Sequence, residues 1–186
     1  MAFIQDGKGK NGNASVSSVQ RLNVSSKNAP RPFYISRDDG LSFSAVYDAM
    51  TLAAGDIAAY LKNTSSTRNL IVGDISVGGA VTGKWILSSA TGTAAAGAAV
   101  TPTPTNLSKN IPAEATAMSG DTSITGLTAG SVISVIRHAA NDQTEEAFDG
   151  TLILGPGDAI MMELDTGTGG LYEVDIHFHF ESIGAT

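Results

Sequence analysis

For ten positions, from Tyr172 to Glu181, this chain alternates between apolar and polar side chains without a break. Tyr172, Val174, Ile176, Phe178 and Phe180 fall in one register, and Glu173, Asp175, His177, His179 and Glu181 in the other. A period of two sends successive side chains to opposite faces of a strand; wound at 3.6 residues per turn, the same residues would scatter around a helix. Residues 171–182 therefore predict an antiparallel strand with one buried face. Five large apolar side chains on that face need partner strands beside them and a second layer above them. The rest of the chain has to supply both.

Its texture suits that demand. Short apolar runs bounded by Gly, Pro, Asn and Asp predict eight strands, at 43–52, 56–62, 69–77, 81–89, 131–138, 145–154, 158–165 and 171–182. Residues 45–61 could compete as a helix on composition, but the Gly55-Asp56 break leaves two short halves. In the third strand Leu70 and Val72 point inward, with Ile75 and Val77 as further candidates, and Gly78-Gly79 ends it. Gly155-Pro156-Gly157-Asp158 and residues 166–170 read as tight turns. Residues 89–130, rich in Ala, Thr, Gly and Pro, read as an extended loop with one short strand near 114–118. The expected fold is all-β: a single jelly-roll-like β-sandwich of about eight strands over residues 33–186. An extended N-terminal arm covers residues 1–32, whose few apolar residues cannot bury enough surface to order it alone.

Charge divides at the same place. The net charge of −7 combines a leader, residues 1–37, holding six Lys or Arg against one acid, with a remainder holding five basic and seventeen acidic residues. A basic leader on an acidic body marks an arm that docks on an acidic surface. Its cations are strung out without aromatic interleaving and the body repels phosphate, so nucleic acid is not the expected partner. No run approaches the ~18 apolar residues of a membrane helix, and the N-terminus has no signal-peptide pattern. With no cysteine, disulfides and thiolate chemistry are excluded.

Few constellations could carry chemistry. His177 and His179 lie two apart on one strand face, so both imidazoles could reach one metal, with Glu181 following. Same-face neighbours are about 6.5–7 Å apart along a strand, which keeps the end members from sharing an ion readily. A third ligand would have to come from elsewhere, and His138 is the only other histidine. The pair resembles the His-x-His of cupins, whose fold also favours a Pro-Gly-Asp turn. Here, however, Glu181 follows too soon and the pair comes after the turn. The glycine-rich stretches lack a phosphate-loop core, and no nucleophile elbow is present. Acidic loop residues (Asp38-Asp39, Asp142, Glu145-Glu146, Asp149) read as solvated loops. The expectation is no enzyme, no cofactor and no metal, with His177 and His179 the weak metal candidates. A carbohydrate-binding sandwich would need exposed aromatics, and most of the Phe and Tyr residues sit at inward positions.

Two groups of segments carry a family likeness. One is Gln5-Asp-Gly-Lys-Gly-Lys-Asn-Gly-Asn-Ala-Ser-Val16 with Gln20-Arg-Leu-Asn-Val24 and Tyr34-Ile-Ser-Arg-Asp-Asp-Gly40. The other is Tyr60-Leu-Lys-Asn-Thr64, Asn69-Leu-Ile-Val72 and Leu152-Ile-Leu-Gly-Pro-Gly-Asp158 ahead of the alternating strand. Together they resemble small virion structural proteins of tailed bacteriophages, most closely the capsid decoration or cement type, with a tail or fibre-attachment protein as the alternative. The resemblance implies a homotrimer on the outer capsid surface that bridges subunits of the major capsid protein. The contact residues expected from it are Lys8, Lys10, Val16, Arg21, Leu22, Val24, Arg31 and Arg37.

Overall fold

A computed structural model describes residues 35–183, apart from 121, 122 and 168. The expected contact residues Lys8, Lys10, Val16, Arg21, Leu22, Val24 and Arg31 lie outside the described residues. Arg37 falls in a π-helical turn, Ile35–Asp39, that leads into the first strand. Eleven strands follow: β1 (Ser42–Leu52), β2 (Asp56–Asn63), β3 (Arg68–Gly79), β4 (Gly83–Ala95), β5 (Ala98–Val100), β6 (Thr103–Pro104), β7 (Ala115–Ser119), β8 (Thr125–His138), β9 (Asp142–Leu154), β10 (Ala159–Thr166) and β11 (Gly170–Ser182).

Four pairings organise them. β1 pairs with β11, β2 with β10, β3 with β9 and β4 with β8, all antiparallel. Phe43 meets Phe178, Leu61 meets Ile160, Ile75 meets Glu146, and Trp85 meets Ile136, so the rungs nest inside one another about a common centre. The strands from β1 to β11 form one long hairpin, doubled over and rolled. Rolling sets β11 against β3 and β10 against β4, giving two sheets in the orders β6-β1-β11-β3-β9 and β5-β7-β2-β10-β4-β8. The two antiparallel sheets face each other as a β-sandwich.

The main core fills the space between them. Tyr172, Val174, Ile176, Phe178 and Phe180 are all buried, as their alternation predicts, and pack with Phe43, Tyr47, Trp85, Leu87 and Met162. Phe43 stacks on Phe178 at 5.7 Å and meets Phe180 edge-on at 5.8 Å. Leu70, Val72, Ile75 and Val77 are all inward too, although 72 and 75 differ in parity. The register slips by one residue at Gly73, a bulge that returns Ile75 and Val77 to the core face.

The eight predicted strands are present, six of them within three residues of their expected ends, and the tight turn is there. Asp158 N–H donates to the Gly155 carbonyl at 3.0 Å across it, and Gly157 has a φ of 87°. Pro at the second and Gly at the third place of that turn meet the needs of its backbone. The expected loop at 89–130 is the main correction. β4 continues to Ala95 and β8 begins at Thr125, so the two strands pair through much of it, and β5, β6 and β7 add to the sheet edges. Small side chains that look structureless in sequence let these backbones pair closely. The short strand expected near 114–118 is β7.

The same region caps one sheet. Ile124 and Met118, with Ala94 and Leu127, form a second, smaller core with Tyr60, Ala159 and Met161 on the outer face of the β10 sheet. Gly120 N–H donates to the Ala58 carbonyl at 2.8 Å, and Ile124 N–H to the Ile57 carbonyl at 3.0 Å, fixing the cap.

Candidate functional site

The outer face of the β11 sheet is built differently. Ser44, Val46, Asp175 and His177 project from it, and β11 lies at its centre between β1 and β3. The Gly73 bulge sets Asp74 directly opposite His177, where the His177 imidazole Nδ1 and an Asp74 carboxylate oxygen are 2.6 Å apart. The next histidine on that face, His179, turns to its own strand: its Nε2 is 3.3 Å from Glu181 Oε1. His177 is half-exposed, whereas His179 is 95% covered, its side chain sitting between Ser42 and Ile71 in register.

Around this pair runs an open groove of about 670 Å³. Ser36 and Thr105 stand on one side, joined by a hydroxyl–hydroxyl bond of 3.0 Å, with the Asn106 amide donating to the Ser36 carbonyl at 2.9 Å. On the other side stands a four-residue excursion from β9. Between Val72↔Leu152 and Asp74↔Ala147 the chain loops out through Phe148, Asp149, Gly150 and Thr151, turning at Asp149 (φ 48°) and Gly150 (φ 81°). Two successive positive φ values are the signature of a type I′ turn, which Asp-Gly favours. Phe148 anchors the excursion by packing against the main core.

The groove is apolar below and acidic at its sides. Ile71, Ala147 and Ile153 line it together with Asp74, Glu145, Asp149 and Glu181, and no Lys or Arg is among its described lining residues. Next to His177, Asp175 has a buried Oδ1 with no hydrogen-bond partner. Burial raises its carboxyl above the usual range; His177 pulls it back down, while Asp48 and Asp74 push it further up. The face is therefore electrostatically starved of cations.

The chemistry open to this arrangement is limited. His177 and His179 share a face, as the spacing predicts, but take separate carboxylate partners instead of converging. His138 lies in the sandwich interior, 6.3 Å from Trp85 and 6.0 Å from Tyr172 by ring centroids, on the opposite side of the sheet from them. Among the described residues no three His, Asp or Glu side chains are grouped to hold a metal. The sequence reading named the histidines but missed Asp74 as a partner and the 148–151 excursion as a wall. Asp149-Gly150 was the available signal for the second; nothing local marks the first, because it depends on the bulge.

A second exposed feature lies on the flank. β8 ends its sheet and carries no charged residue from Thr125 to Ile136, while Val132, Ile133 and Val135 are 60%, 39% and 40% exposed. Searches of protein-family models, curated proteins and solved structures find nothing that matches this chain.

Proposed function

We propose that this chain is a structural protein of a tailed-phage particle. It decorates the outer surface of the capsid and stabilises it by bridging neighbouring subunits of the major capsid protein, as a homotrimer. The sequence resemblance suggests the class. The observation that carries the reading is the bare flank of β8, an uncharged edge strand with three exposed β-branched side chains. Soluble proteins usually guard such edges with Lys, Pro or a covering segment. Two bulges at 132–134 and 129–132 twist this one, yet its apolar side chains stay uncovered among the described residues. A covering neighbour removes them from water, as at a permanent subunit contact.

Two further points support it. The nested pairings β1/β11, β2/β10, β3/β9 and β4/β8 suit the jelly roll we propose for this sandwich, a fold common in capsid-associated domains. Such architecture alone does not decide function. The site chemistry also supports a binding role, because His177 and His179 each contact a separate carboxylate, Asp74 and Glu181, on an open acidic face.

The test is particle binding. Purified protein mixed with capsids assembled without it should sediment with them saturably and raise their resistance to heat. Protein that stays in the supernatant at every concentration overturns the reading. Electron microscopy of the bound particles separates a head position from the alternative, a tail or fibre-attachment site.

A further inference from the structure

We propose that the groove over His177 and Asp74 is the seat for the leader, residues 1–34, of a second copy of this chain. The two outer faces of the sandwich differ in a telling way. The face of the β10 sheet is capped by the chain's own Ile124 and Met118. The face of the β11 sheet is covered only in part, around Ile71 and His179, and Val46, Ile153 and Leu171 are each more than half exposed on it. A sheet face with apolar residues normally carries a second layer. Charge names the occupant. The groove's lining holds four carboxylates and no Lys or Arg, and residues 1–34 hold five Lys or Arg against Asp6. No other stretch of the chain is basic: the 149 residues after Arg37 carry five cations and seventeen acids. Copies of so acidic a body repel one another, and the basic leader offsets that repulsion.

Placement makes the exchange feasible. The described chain begins at Ile35, and Ser36 is itself part of the groove wall. Thirty-four residues can span up to about 110 Å, far enough to reach a neighbour's groove. In an extended segment Leu22 and Val24 share one face, suited to the apolar floor, and Arg21 takes the other register, within reach of the acidic walls. The proposal concerns the purified chain and stands or falls independently of the particle assignment.

The absence of cysteine makes the test clean. Two full-length preparations are mixed, one tagged and carrying Leu22→Cys, the other untagged and carrying Ile153→Cys, and treated with a short bismaleimide. The expected result is a tagged–untagged conjugate, with a yield at least about tenfold above that of the pair Leu22→Cys with Val132→Cys, whose partner site lies outside the groove. Equal yields from both pairs, or no conjugate from either, overturn the proposal. So does conjugation confined to a single chain carrying both Leu22→Cys and Ile153→Cys, which would mean each leader serves its own body. Adding Arg21→Glu should lower the hybrid yield about tenfold, and Glu145→Lys in the partner should restore it. If the reversed pair gives no recovery, charge does not seat the leader and the proposal fails.

Discussion

The Asn63 side-chain amide donates to the carbonyl of Leu154, 91 residues away, at 2.9 Å. It ties the end of β2 in one sheet to the end of β9 in the other. The same amide nitrogen donates to the Arg68 carbonyl at 2.9 Å, and its oxygen accepts from Ser65 N–H at 2.9 Å. Asn63 is fully buried, so these are not bonds that water can replace. Asn63→Ala leaves two carbonyls and one N–H without partners in a closed corner, and should cost about 3 kcal/mol of stability. Denaturant unfolding measures it, and a loss under about 0.5 kcal/mol contradicts the role given to Asn63 here.

Gly83 opens β4 against His138. A methyl placed on Gly83 would meet His138 Nε2 at 2.5 Å and Leu164 at 3.2 Å, with both neighbours packed in the core. Gly83→Ala should therefore destabilise by about 1–3 kcal/mol. Removing the obstacle tests the cause: in a chain that also carries His138→Ala, the two losses should sum to more than the double variant shows. Strict additivity would place the strain elsewhere.

Asp175 sets a pH dependence. Burial holds its folded-state carboxyl above the ordinary carboxylate range, so between the unfolded and folded values the native state binds more protons than the unfolded chain. Asp175 thus lowers stability as pH rises through that window, and its cost is complete only above the folded-state value. Asp175→Asn should melt higher than the parent at pH 7, with the gap closing as pH falls toward the carboxylate range. A gap that widens on acidification would reverse the sign.

Val132 and Val135 separate folding from binding. Both are exposed on the β8 flank, so Val132→Glu with Val135→Glu should leave the melting temperature within a few degrees of the parent. If that flank meets the capsid, the same double variant should lose sedimentation with particles. Unchanged sedimentation would move the contact to another face.

Where side-chain pattern alone decides, the sequence was informative. Ten alternating residues placed β11 and its buried face, and β-branched runs between turn residues placed the seven other long strands. What the pattern could not carry was pairing. The long excursion at 89–130 reads as loop because Ala, Gly and Thr show no apolar period. Yet Ala90 to Ala95 and Thr125 to Ala129 pair through their backbones, which any small residue permits. Gly73 gives no sign in sequence that it is a bulge, and without the bulge Asp74 would not reach His177. For the same reason the two histidines were legible as a same-face pair but not as two separate His–carboxylate contacts. The edge position of β8 is a topological fact, and a β-branched run reads the same whether the strand is central or bare.

The nested pairing has a consequence for how the molecule comes into being. The innermost rung, β4 with β8, joins segments about thirty residues apart and can close early. The outermost, Ser42 with His179, joins segments well over a hundred residues apart. Closure of a loop that long is slow and comes late, so folding should run outward like a zipper over milliseconds to seconds. Because β11 is the middle strand of its sheet, a ribosome that has made everything up to β10 still holds a sandwich with a gap through one side. The apolar faces of β1 and β3 wait in water until the last strand arrives. A nascent chain stalled before Gly170 should therefore be cut readily in β1 and β3, and one extended past Ser182 should become resistant there.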